Sequence, residues 1–277
     1  MLRVIAIVCA ILIFLCSGIC FAEEGKADQE LVRTLMQKSG LSRQIEQIPV
    51  MMQADIIKAN QESGDKMSQS EMDNLRSLVS EAFNAKVLID TVQRHIHSNL
   101  SERDIRVVLA WIGSALGSKI TKLEEEASTS QVYEEEKKSG DKLPENSGRA
   151  VLLAKLDKAV RATDVGVSIS INLQVAFILA ITAEMPAEQR PSTEEILREV
   201  NKDREQLRQN IRQETLAGFL YTYRSLRDAE IERYVEFAES ESGKRYHTAA
   251  AEGLNTALMQ AGLALGRKVS RDGRDSI

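Results

Sequence analysis

Cysteine is almost missing from this chain. There are three, Cys9, Cys16 and Cys20, all within the first 20 residues. The rest of the chain therefore has no disulfide, no thiolate metal site and no cysteine nucleophile. Aromatic residues make up 4% of the sequence, too few for the ring platforms that stack on nucleic acid. Positive charge is not in excess either: 36 basic side chains face 41 acidic ones, a net charge of −5. That argues against a nucleic acid or anionic membrane partner held by bulk charge. The three histidines do not form a site. His95 and His97 are two apart, so a helix points them roughly 200° from one another, and His247 stands alone. All three read as surface or edge residues. No metal or cofactor is expected.

Residues 1–22 have the plan of a signal peptide. Arg3 supplies a positive start, Val4 to Cys16 is an apolar run, and Cys20 and Ala22 offer small residues for a cut after Ala22. The run is short for an uncleaved anchor. Cleavage leaves 255 residues with 35 basic and 41 acidic side chains, expected in the periplasm or secreted.

Beyond the leader the patterning is helical almost throughout. Ser39-Gly40 ends a first short helix. Ser68 with Glu71, and Ser192 with Glu195, are candidate capping boxes. Leu78, Ala82, Ala85, Ile89, Val92 and Ile96 describe one long amphipathic helix, and Ile105, Val108, Leu109, Ile112 and Leu116 another. A further long helix is expected from Ser192 to about Tyr223. The charged stretch from Glu124 to Lys138 reads as a solvated helix end, and 139–148, with Gly140 and Pro144, as a linker. Residues 165–177 alternate apolar and polar, as in a strand, and 165–183 carry no charge. A lone strand would have no partner, and Asn172 and Gln174 suit lipid poorly. A buried helix is the favoured reading, with strand and membrane segment as alternatives.

Residues 100–126 are echoed without a gap by 226–252. Leu100 aligns with Leu226, Ile105 with Ile231, Ser114 with Ser240, Gly117 with Gly243 and Glu126 with Glu252; Trp111 faces Phe237, and Lys119 faces Arg245. An offset of this kind points to a duplicated unit. The expected architecture is an all-α helical bundle of two similar units, 23–138 and 149–269, with a disordered tail at 270–277.

The repeated Ser-x-x-Gly-x-(Lys/Arg) is the candidate site: Ser114, Gly117 and Lys119, then Ser240, Gly243, Lys244 and Arg245. Backbone amides at a glycine beside a cation can hold an anion, but the phosphate-loop pattern is absent. The alternative is a helix–helix corner in which glycine supplies a left-handed turn. No catalytic constellation stands out. The composition therefore favours a non-enzymatic binding or envelope-assembly module for a protein, peptide or apolar ligand. A hydrolase using the repeated serine is the alternative.

The motif Leu-Ser-Glu-x-Asp-Ile followed by Trp111, Ser114, Gly117 and Lys119 resembles the exported bacterial family called domain of unknown function 2059. The second copy, Asp228-Ala229-Glu230-Ile231, Phe237, Ser240 and Gly243-Lys244-Arg245-Tyr246, fits the pattern better. The first departs at Ser118, where a cation is usual, and two copies in one chain are a further departure. The resemblance implies an all-helical exported protein and carries no activity with it.

Overall fold

The structure is a computed structural model that describes residues 28–62, 66–127, 147–182 and 185–275. The signal peptide and all of the linker but Ser147 and Gly148 lie outside the described residues, as does the charged run beyond Ala127. Among the described residues twelve α-helices follow one another: α1 (Gln29–Lys38), α2 (Leu41–Glu62), α3 (Gln69–Ala82), α4 (Ala85–Asn99), α5 (Glu102–Ile112), α6 (Ala115–Ala127), α7 (Gly148–Val160), α8 (Ala162–Thr182), α9 (Thr193–Val200), α10 (Arg204–Thr222), α11 (Asp228–Glu239) and α12 (Glu241–Asp275). There is no strand among the described residues, and the fold is all-α.

Local chemistry sets the helix ends. Ser68 with Glu71 and Ser192 with Glu195 form reciprocal capping boxes, and Ser101 caps α5 through the Asp104 amide. Gly40 closes α1 with φ +75°. The single long helix expected from Leu78 to Ile96 is two. Asn84 accepts from the Lys86 and Val87 amides and starts α4, while Phe83 turns into the core. The expected run from Ser192 to Tyr223 also breaks, at residues 201–203, into α9 and α10. α2 passes through Pro49. α12 continues to Asp275, into residues expected as a disordered tail.

Residues 165–182 are the helix α8, so the strand reading of this segment is overturned. Its small residues allow close packing: a Cβ on Gly166 would sit 2.9 Å from Ile211 Cγ2 of α10. Asn172 bonds Asn255 of α12 at 2.7 Å, which satisfies inside the protein the group that suited lipid poorly. No described helix is long and apolar enough to cross a membrane.

The core falls into two clusters. One gathers Leu35, Ile45, Val79, Leu88, Val92, Ile96, Ile105 and Val108 from α1 to α5 around Tyr246, Ala249, Ala257 and Leu258 of α12. The other gathers Leu152, Leu153 and Leu156 of α7 with Tyr223, Ile231, Tyr234 and Val235 around Leu116 and Ile120 of α6. Each cluster thus takes a helix from the opposite half of the sequence. Close approach makes one of these crossings possible: a Cβ on Gly253 of α12 would meet Val92 Cα at 3.2 Å and His95 Cβ at 3.1 Å on α4.

Candidate functional site

The two Ser-x-x-Gly corners have the same internal geometry. Ser114 Oγ donates to the Trp111 carbonyl at 2.6 Å and accepts from the Gly117 amide at 3.0 Å. Ser240 Oγ donates to the Phe237 carbonyl at 2.6 Å and accepts from the Gly243 amide at 3.1 Å. Neither glycine is left-handed, which corrects the reason expected for them: among the described residues the positive-φ ones are Gly40 and Arg161. Glycine is needed because the corner is tight. A Cβ on Gly117 would lie 2.0 Å from the Trp111 oxygen, and one on Gly243 2.0 Å from the Phe237 oxygen, far inside van der Waals contact. These amides and hydroxyls already have partners, so they do not form a waiting anion cradle.

The corner cations are engaged across the molecule. Lys119 pairs with Glu230 at 3.2 Å, and Arg245 pairs with Asp104 at 3.0 Å. Lys119 and Arg245 are 126 residues apart, as are Asp104 and Glu230, so the two pairs are reciprocal. Trp111 stacks on Phe237, also 126 apart, with centroids 4.6 Å apart and planes at 7°. One residue stacked on its own counterpart, beside reciprocal ion pairs, is the pattern that a two-fold relation between the two segments would produce. Asp104 is 3% exposed. Burial pushes its carboxyl up, but Ser242, Ser101 and Arg245 donate to it and hold it below the usual carboxylate range. The Arg227 amide, then Lys119, draw Glu230 down to about 2. Lys244 is exposed.

Beside the Trp111–Phe237 stack lies a cavity of about 400 Å³, lined by both rings. Five pairs of its lining residues are 126 apart: Val108 and Tyr234, Trp111 and Phe237, Ile120 and Tyr246, Thr121 and His247, Glu124 and Ala250. The chain has one Trp, five Tyr and six Phe. Six of these rings line the cavity, with Phe219 and Tyr223 completing the set. Glu124, on α6, is the carboxylate inside. Its Oε1 accepts from Tyr223 Oη at 2.7 Å and from Tyr234 Oη at 2.9 Å. Burial pushes the Glu124 carboxyl up, against the pull of the two phenols. The same burial, with the Glu124 charge, pushes both phenols well above the ordinary tyrosine value. Burial alone draws His247 down to about 4, so it is neutral. Its Nε2 is buried with no hydrogen-bond partner among the described residues.

Sequence reasoning placed Glu124 on a solvated face and His247 at the surface; the structure puts both in this cavity. A signal was present. Leu116, Ile120 and Glu124 are spaced by four, so Glu124 continues the buried stripe of α6. His247 stands 126 residues from Thr121, and both line the cavity. His95 lies elsewhere, with Nε2 3.4 Å from Glu252 Oε2. No group of three or more His, Asp or Glu that could hold a metal ion occurs among the described residues.

No family model matches the chain, and neither a curated protein nor a solved structure is similar to it.

Proposed function

We propose that this chain is an exported, non-enzymatic binding protein that holds a small molecule in the cavity beside the Trp111–Phe237 stack. The observation that carries the proposal is the composition of that cavity. Half of a scarce aromatic complement converges on about 400 Å³ that also contains a partly buried carboxylate and an imidazole nitrogen with no partner among the described residues. Ligand sites are of this kind: concave, mostly apolar and aromatic, with a few placed polar groups. An unpaired buried polar atom costs about 1–3 kcal/mol, a cost that a ligand bonded to His247 Nε2 would remove. Export is supported by the tripartite N-terminus and by the absence of cysteine after residue 20. A duplicated unit and kinship with the domain of unknown function 2059 family are supported by the 126-residue register and the two corners. The hydrolase alternative draws no support from those corners, since each serine proton is committed to a backbone carbonyl.

Scanning calorimetry against a panel of small apolar, aromatic, cationic and anionic molecules tests the reading. A ligand present at a hundred times its Kd adds about 2.7 kcal/mol, which raises the melting temperature by several degrees in a chain of this size. Ala250→Leu fills part of the cavity and should abolish the shift. A panel that moves neither protein would defeat the proposal.

A further inference from the structure

We propose that the ligand is a small organic cation, a quaternary or protonated amine, with the Glu124 carboxylate as its counter-charge. This inference rests on the ligand-binding reading and narrows it. Charge decides the class. Among the lining residues Glu124 is the one carboxylate, and no Lys or Arg lines the cavity. Its hydrogen-bond partners are two neutral phenols, both on Oε1, so neither reaches Oε2. No cation among the described residues pairs with it. A carboxylate partly withdrawn from water without a cation is unfavourable. Either a proton or a bound cation restores the balance, and the upward pull of burial on this carboxyl shows the demand for one.

The other ligand classes fit less well. An anion would meet like charge. An uncharged apolar molecule supplies no counter-charge, so the carboxyl would have to stay protonated beside it. A divalent metal ion needs several oxygen or nitrogen ligands, and no such group is present among the described residues. The walls favour a cation a second time, because the faces of Trp and Tyr attract positive charge. Neutral His247 does not repel one, and its unpartnered Nε2 can accept from a ligand N–H.

Trp111 is the only tryptophan in the chain, and it lines the cavity against Phe237. Its emission is therefore a direct reporter. The test titrates the full-length protein at pH 8 with choline and benzylammonium, each beside its uncharged counterpart, 3,3-dimethylbutan-1-ol and benzyl alcohol. The expected result is saturable binding of at least one cation, at least tenfold tighter than its counterpart. Glu124→Gln should weaken that cation at least tenfold with an unchanged helical circular dichroism spectrum. If Glu124→Gln fails to fold, the cation-to-alcohol ratio in the wild type decides alone. If an alcohol binds as tightly as its cation, the cation assignment is overturned and the ligand-binding reading stands. Absence of any change with all four overturns the cation assignment too, and the calorimetric panel then judges the ligand-binding reading separately.

Discussion

Gly243 and His247 lie four residues apart on α12, and each gives a test of how its surroundings act on it. At Gly243 the constraint is contact with the Phe237 carbonyl, not backbone handedness. Gly243→Ala should therefore cost about 1–3 kcal/mol or more through overpacking, read as a lower midpoint in urea. Gly243→Asn should be no milder, although asparagine tolerates a left-handed turn better than alanine; a clear rescue by asparagine would contradict this geometry. Gly117→Ala should behave the same way. At His247 the folded protein holds a neutral ring down to about pH 4, whereas the unfolded chain protonates near 6.5. The unfolded state thus binds the extra proton between these values, and stability falls as pH drops from about 6.5 towards 4. The loss reaches on the order of 3 kcal/mol. Glu124 works in the opposite sense: its raised carboxyl loses stabilisation as pH rises through its folded value. The comparison that isolates His247 is therefore the wild type against His247→Leu in urea at pH 7 and pH 4.5. The variant should lose less stability on acidification, and equal losses would refute the assignment. Both residues show what the sequence left obscure. The pattern around Gly243 was legible, but its cause was not, because φ and the distance to a carbonyl depend on how two helices meet.

The reciprocal pairs between helices are alike in register and unequal in worth. Asp104 is buried at the start of α5 and takes Ser101, Ser242 and Arg245 as donors, whereas its counterpart Glu230 has a half-exposed lysine as its cross-molecule partner. Asp104→Ala leaves those donors without their shared acceptor and should cost about 2 kcal/mol, within the range for a buried group left unsatisfied. Lys119→Ala breaks an exposed pair and should barely move the urea midpoint. Equal losses would contradict the burial argument. The end of α7 offers the converse experiment. Arg161 is held at φ 60°, a conformation that costs a non-glycine residue about 1 kcal/mol. Arg161→Gly should raise the melting temperature. Element by element, much was readable: the two capping boxes, the Ser39-Gly40 stop and the stripes of α5 and α11 follow from spacing. The breaks at Phe83-Asn84 and at 201–203 were not, because apolar spacing carries across them and only the cap of Asn84 and the packing of Phe83 cut the first helix.

On the scale of the whole chain, the exchange of α6 and α12 between the two core clusters places the cavity. Helices from both halves must assemble before Glu124 of α6 can face Tyr234 of α11 and His247 of α12. A periodicity shows which face of a helix is buried, but not which partner covers it. Glu124 was therefore read as part of a solvated acidic run, even though its spacing from Ile120 put it on the buried stripe. The 126-residue register was the one long-range clue, and it aligned Trp111 with the ring it stacks on. Native mass spectrometry of the protein recovered gently from its source cells shows whether this cavity holds a small molecule. The wild-type species should be heavier than the bare polypeptide by one small organic molecule, lost on denaturation and missing from Ala250→Leu. The mass of the bare polypeptide alone in the wild type, or the same adduct on both proteins, would contradict the ligand-binding reading.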